Sequence, residues 1–300
     1  MKYLTDELDS RNITYVCNEP MSAHTTFKIG GAADILITIK SVDELHSAVN
    51  ACKASGIPVM ILGNGSNLLV SDNGIEGAVI TLDGDFKEIT VDGTIINSGA
   101  GAKLSRLCGV ALENSLTGLE FAYGIPGSVG GAVFMNAGAY GGEIKDVVFS
   151  VTHIDRDGKI GTIKGADLDF GYRHSVYKEN GFTIIGATFR LKLDNRTEIR
   201  NRMDDFMGRR KDKQPLEFPS AGSVFRRPEG AFAGALIEQC GLKGKSVGGA
   251  QVSPKHAGFI VNIGGATAED VKNLVELIQS TVKKETGYDL QREIIFLNKN

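Results

Sequence analysis

Two periods of apolar spacing run along this chain and predict its elements. Residues 3–11 read as a short amphipathic helix, and Asp34 to Ile39 as a strand rich in Ile and Leu. Val42, Leu45, Val49 and Cys52 then recur at helical spacing, behind a capping box at Ser41 and Glu44 and ahead of a terminating Gly56. Pro58 to Leu62 is wholly apolar, as in a strand buried on both faces. It runs straight into Gly63-Asn64-Gly65-Ser66-Asn67. Strand, helix, strand and glycine turn make one α/β unit.

From Ala78 the pattern changes to short strands, over 78–82, 88–91 and 94–97, with Asp92-Gly93 as a hairpin turn. Residues 101–114 are helical, with Leu104, Leu107, Cys108, Ala111 and Leu112 on one side. A second hairpin joins 147–154 to 160–163 through Asp157-Gly158, and a long strand covers 182–193. At Asp194 the character shifts to a charged helix, 198–213, with Ile199, Met203, Phe206 and Met207 on its buried face. Its Arg209, Arg210, Lys211 and Lys213 interleave with Asp204, Asp205 and Asp212, which reads as a solvated face rather than a nucleic-acid patch. Helices at 231–240 and 268–286, strands near 247–252 and 257–262, and a final strand at 290–297 complete the chain. These shifts place a first domain at 1–194, with lobes of about 1–82 and 83–194, and a second at 195–300.

Composition sharpens one feature. The 300 residues include 38 glycines, against an average share of about 7%. They are densest from Gly118 to Gly142, among Ile125, Val129, Val133, Phe134 and Met135. That stretch is too apolar for a flexible linker. Its many backbone N–H groups suit an anion nest, and its small residues predict close approach to a flat ligand. A net charge of −3 gives no bulk attraction to nucleic acid or membrane, and no apolar run reaches the roughly 20 residues of a membrane span. The polar N-terminus lacks a signal-peptide core. Cys17, Cys52, Cys108 and Cys240 are scattered, as expected in a reducing compartment, and a cytoplasmic location follows. The five histidines show no metal spacing, so no metal is expected.

Several residues carry candidate chemistry. Gly63 to Asn67 suits a pyrophosphate or simply a tight turn; Leu68 stands where a Rossmann fingerprint needs glycine. Arg173, beside Tyr172, suits a carboxylate or enolate oxygen, or a surface ion pair. Ser223, among Ala221, Gly222 and Val224, is a proton donor or a turn cap. Glu293, before the apolar Ile294 to Leu297, is either edge-exposed or set in a cleft. His256 lines a pocket or a turn.

Taken in order, Asn64 to Asn67, Ile125 to Gly131 with Asn136 to Gly141, Tyr172 to Ser175, Ala221 to Phe225, and Glu293 make the chain resemble the UDP-N-acetylenolpyruvoylglucosamine reductase family, in its shorter subtype. The resemblance implies an α+β fold: a two-lobed FAD-binding domain of the vanillyl-alcohol-oxidase type and a C-terminal α+β substrate domain, with the final strand returning to the active-site cleft. It implies non-covalent FAD, held by Gly63, Asn64, Gly65, Ser66, Asn67, Tyr123, Gly124, Pro126, Gly127, Ser128, Gly130, Gly131, Asn136, Ala137 and Gly138. NADPH is the implied electron donor. The implied substrate is a nucleotide sugar, UDP-N-acetylglucosamine enolpyruvate, held by Tyr172, Lys213, Arg227 and His256. The implied catalytic residues are Arg173, Ser223 and Glu293, with Glu293 beside Arg173. No nucleic acid, membrane or protein partner is expected. An oxidase on the same flavin fold and a non-catalytic nucleotide-binding module are the rival readings, and colour separates them. Only a reductase is bleached by NADPH and recoloured by the enolpyruvyl substrate rather than by air.

Overall fold

Side-chain caps and left-handed glycines set several element boundaries in the computed structural model, which describes residues 1–299. The chain begins with α1 (Lys2–Ser10), β1 (Thr14–Pro20), β2 (Ala32–Ile39) and α2 (Val42–Ala54). Ser41 Oγ accepts the Glu44 amide at 3.2 Å and so caps α2, but the Glu44 carboxylate accepts the Lys40 amide at 2.7 Å rather than that of Ser41, so only half of the expected capping box forms. Gly56, at φ +65°, ends it. Next come β3 (Val59–Leu62), β4 (Leu68–Val70), β5 (Ile75–Leu82), β6 (Ile89–Asp92), β7 (Ile95–Gly99), α3 (Leu104–Glu113), β8 (Leu116–Thr117) and α4 (Val129–Phe134). The middle of the chain holds β9 (Gly138–Ala139), β10 (Gly142–Glu143), β11 (Val148–Ile154), β12 (Ile160–Lys164), α5 (Tyr177–Asn180), β13 (Thr183–Arg190) and β14 (Lys192–Leu193). The last part comprises α6 (Arg196–Lys213), α7 (Ala233–Gln239), β15 (Ser246–Val247), β16 (Ala250–Val252), β17 (Ile260–Asn262), α8 (Ala268–Thr286) and β18 (Ile295–Leu297).

The chain divides into two compact units that are interleaved in sequence. One holds Met1–Tyr15, Leu36–Asn64 and Val79–Arg210; the other holds Val16–Ile35, Gly65–Ala78 and the chain from Lys211 on. Sequence shifts draw a line at 194, but contacts draw it after Arg210. The reason is α6. Its Arg202 guanidinium reaches Glu120 at 2.9 Å, Asp194 at 2.6 Å and Thr117 Oγ1 at 3.1 Å, all within the first unit. Burial alone would raise the Glu120 carboxyl. Hydrogen bonds from Thr117, Gly118 and Arg202 outweigh it and hold Glu120 below its ordinary value.

The first unit is built on an antiparallel sheet in the order β12-β11-β13-β7-β6. Both expected hairpin turns are present, with Gly93 at φ +57° and Gly158 at φ +82°. α4 packs on β13.

The second unit has its own core. Phe27, Ile29 and Leu69 cluster with Val224, Phe225, Ile237 and Ile260, and with the α8 face of Val271, Leu274, Val275, Ile278 and Val282. Each such fully buried side chain contributes about 1.5–3 kcal/mol. Thr267 and Asp270 form the capping box of α8, and Gly287 ends it in the left-handed region. The Asp72 carboxylate also accepts the Ala268 and Glu269 amides, at 2.8 and 3.1 Å. β18 lies parallel to β4, with Ile295 opposite Leu68. It is shorter than the expected 290–297 strand, because before Ile295 the chain switches partner: Arg292 bridges to Phe225 instead.

Candidate functional site

In the first unit, two predicted motifs meet. Asn64 Nδ2 donates to the Pro126 carbonyl at 2.6 Å. A Cβ on Gly63 would run into Ser128 Oγ, so glycine lets the two loops touch. Ser128 also caps α4, accepting the Gly131 amide at 3.2 Å. The loop after β3 keeps its donors: the amides of Asn64 to Asn67 make no hydrogen bond to another described residue. The second motif does not. Gly127 donates to Ile125 at 2.8 Å, Val129 to Ala102 at 2.8 Å and Gly130 to Ala100 at 2.8 Å. Of the two motifs, the loop after β3 is therefore the one with a run of unused amide donors. What the second offers is bare backbone. A Cβ on Gly127 meets nothing nearer than Leu104 Cδ1, at 3.4 Å.

Asn136 is fully buried, with its side chain spent on Gly171, Glu143 and Lys145. Tyr172 and Arg173 lie at a turn tip and, with Gly138 and Glu143, border a depression of about 410 Å³. Arg173 sits at φ +54° with its guanidinium 5.2 Å from the Tyr172 ring centre. In α6, Arg209 pairs with Asp205 at 2.8 Å, as a solvated face requires. Arg210 is the exception, since its Cδ lies 2.9 Å from where a Gly124 Cβ would be. Burial pushes its guanidinium below the ordinary value, against the opposing influence of Tyr140.

In the second unit, Ser223, His256, Glu293 and Asn67 come together. Ser223 bridges to Phe259, and Val224 donates to the Gly258 carbonyl at 2.9 Å. The Glu293 amide donates to the Val224 carbonyl at 2.8 Å. The segments of Ser223 and Glu293 are thus adjacent extended chains. Asn67 Nδ2 reaches the Glu293 carbonyl at 3.3 Å. His256 Nδ1 accepts the Gly258 amide at 3.1 Å, which puts the ring proton on Nε2. Burial lowers the His256 pKa. Gly258 is what lets these groups close in, for a Cβ there would stand 3.0 Å from His256 Cε1 and 3.6 Å from Ser223 Oγ. Lys213 and Arg227 are exposed, and Arg227 covers the Phe232 ring at 4.1 Å.

UDP-N-acetylenolpyruvoylglucosamine reductase of Clostridium novyi (strain NT) is 48% identical over 293 residues, covering 98% of this chain and 94% of the relative. The chain belongs to the UDP-N-acetylenolpyruvoylglucosamine reductase family. A reductase of the same name from Clostridium botulinum (strain 657 / Type Ba4) is 51% identical over 285 residues, covering 94% and 92% of the two chains. The crystal structure of UDP-N-acetylenolpyruvylglucosamine reductase from Thermus caldophilus matches with a TM-score of 0.81 at 38% identity, over 95% of this chain and 98% of that one. Two family profiles match, described as FAD binding domain over residues 33–164 and as the C-terminal domain of the reductase over 214–297. The α+β class is as expected. The first profile spans Gly63 to Gly131 and Asn136 to Gly138; the second spans Ser223, His256 and Glu293.

The residues of this reductase fit FAD. Gly63 and Gly131 present exposed backbone, and the space at Gly127 is one that a side chain would fill. Gly258 and Arg210 escape the sequence reading: Gly258 belongs to no dense glycine run, and Arg210 reads as one of the solvated cations of its helix. Its spacing, four residues after Phe206 and three after Met207, puts it on the apolar stripe of α6 and is the sequence signal that could have found it.

Proposed function

We propose that Ser223, Arg173 and Glu293 carry the family reaction, with roles that the following chemistry assigns. The chain is an FAD-containing, NADPH-dependent reductase. It converts the enolpyruvyl group of UDP-N-acetylglucosamine enolpyruvate to the lactyl group of UDP-N-acetylmuramate, in peptidoglycan precursor synthesis. FAD, when bound, would supply hydride transfer from NADPH to the terminal vinyl carbon. The unused amides of Asn64 to Asn67 would suit its pyrophosphate, and the bare backbone near Gly127, with Tyr123, Gly124 and Pro126, would suit its ring.

As hydride arrives at the vinyl carbon, negative charge builds on the ether carbon and its carboxylate. Arg173 presents a fork matched to that carboxylate. Glu293, acting in its protonated form, donates a hydrogen bond to the developing enolate. Donors fixed where charge develops are commonly the largest catalytic contribution. Ser223 Oγ–H then gives its proton to the ether carbon, and water restores the hydroxyl. Tyr172, Lys213, Arg227 and His256 hold the nucleotide sugar. The use of NADPH and a nucleotide sugar suits the cytoplasm.

The observation that supports this reading is the hydrogen-bonded pairing of the Ser223 and Glu293 segments with Asn67. Ser223→Ala tests it. The variant should bind FAD and be bleached by NADPH at a near-normal rate. Reoxidation by the enolpyruvyl substrate should slow by about 10²–10⁴-fold, the range of a positioned general acid. Reoxidation within a few-fold of wild type ends the assignment of Ser223. Rapid recolouring of the wild type by air alone points to an oxidase instead.

A further inference from the structure

We propose that Asn136 is a positioning residue that holds the Arg173 turn in its working shape, a role that rests on Arg173 being the residue that meets the substrate carboxylate. The turn runs from Gly171 to His174, closed by Gly171 N–H to the His174 carbonyl at 3.1 Å and His174 N–H to the Gly171 carbonyl at 3.2 Å. Arg173 is its third residue and has φ +54°. That position normally takes glycine or asparagine. A residue with a Cβ is strained there, and keeps the conformation only where its surroundings over-determine it.

Two fully buried polar side chains supply that constraint. Asn136 Nδ2 donates to the Gly171 carbonyl at 2.9 Å, and Ser175 Oγ donates to the Phe134 carbonyl at 2.8 Å. Both bonds tie the turn to the end of α4. Asn136 Nδ2 also donates to Glu143 at 3.2 Å, and its Oδ1 accepts the Lys145 amide at 3.0 Å. One buried amide thus joins the end of α4, the segment 143–145 and the Arg173 turn. Glu143, Lys145, Tyr172 and Arg173 all border the same depression. With its amide spent in this way, Asn136 acts on the reaction through Arg173 rather than by holding FAD with its side chain.

The test uses the holoenzyme and its two half-reactions. Asn136→Asp keeps the acceptor for Lys145 and removes the donor to Gly171. Flavin content and bleaching by NADPH should stay within a few-fold of wild type. Reoxidation by the enolpyruvyl substrate should fall about 10²-fold, the effect of a misplacement of about 1 Å. In an Arg173→Gln background the same substitution should cost nothing further. Ser175→Ala, at the second tie, should repeat the pattern more weakly, and it decides the matter if Asn136→Asp does not fold. Two results overturn the proposal: reoxidation near wild type in a folded variant, or losses that multiply with that of Arg173→Gln. If Arg173→Gln alone leaves reoxidation unchanged, the reading of Arg173 fails first and the role of Asn136 falls with it.

Discussion

In the loop after β3 the amides of Asn64 to Asn67 are left over, whereas around α4 those of Gly127, Val129 and Gly130 are already used. Both segments are rich in glycine, but the glycines answer different demands. Gly65 stands at φ +59°, and a Cβ there would overlap the His24 carbonyl oxygen. The protein itself requires that glycine. Gly127 has no such constraint, because only a Leu104 methyl lies as near as 3.4 Å. Nothing in the protein at that position requires its smallness. Glycine density alone therefore does not reveal a ligand; the test is what a Cβ would meet.

The largest effect should follow Gly65→Ala. The left-handed backbone alone costs about 1–3 kcal/mol, and the overlap adds to it. The variant should melt well below wild type whether or not flavin is supplied. A melting temperature within a degree of wild type means the loop after β3 can move aside. Gly127→Ala and Gly127→Val should behave in the opposite way. They should fold normally, with flavin affinity at least about tenfold weaker, or ~1.4 kcal/mol, and more so for Val. Tight, stoichiometric flavin in Gly127→Val erases the distinction between the two loops.

The smallest effect concerns the sheet beneath α4. His153 Nδ1 lies 3.0 Å from Tyr177 Oη, and its ring stacks on Phe182 at 4.7 Å. Burial lowers its pKa from the ordinary 6.5, against a weaker opposing pull from Asp155. Below 6.5 the unfolded chain therefore binds the proton more readily than the fold. Stability is complete above that value and declines as pH falls towards the folded pKa. Protection factors at β11 and β13, taken relative to the intrinsic amide rate at each pH, should fall on mild acidification, and His153→Phe should remove the dependence. Unchanged protection factors down to pH 5 contradict this.

Local signals carried most of the helices. Ser41 caps α2 as expected, and the apolar spacing from Val271 to Val282 is the buried face of α8. β1 was not legible, because Thr14–Pro20 is mostly exposed and has no alternating apolar face. α4 was hidden by Gly130 and Gly131, which are poor helix formers; Ser128 and the close approach to Ala100 allow it. The residue types of the site could be read one by one. Their pairing could not, since the register of Val224 against Glu293 is set by chain segments far apart in sequence. The attachment of α6 was hidden for the same reason, since it runs through Glu120, far off in sequence.

The core of the second unit has a consequence for how the chain is made. Phe27, Ile29 and Leu69 leave the ribosome long before Val224, Ile260 and the α8 face that bury them. At translation rates of 5–20 residues per second, the wait is roughly 10–40 s. Until the last-made third emerges, those early side chains have no native shelter. Closing of this core therefore waits on segments made much later in the chain.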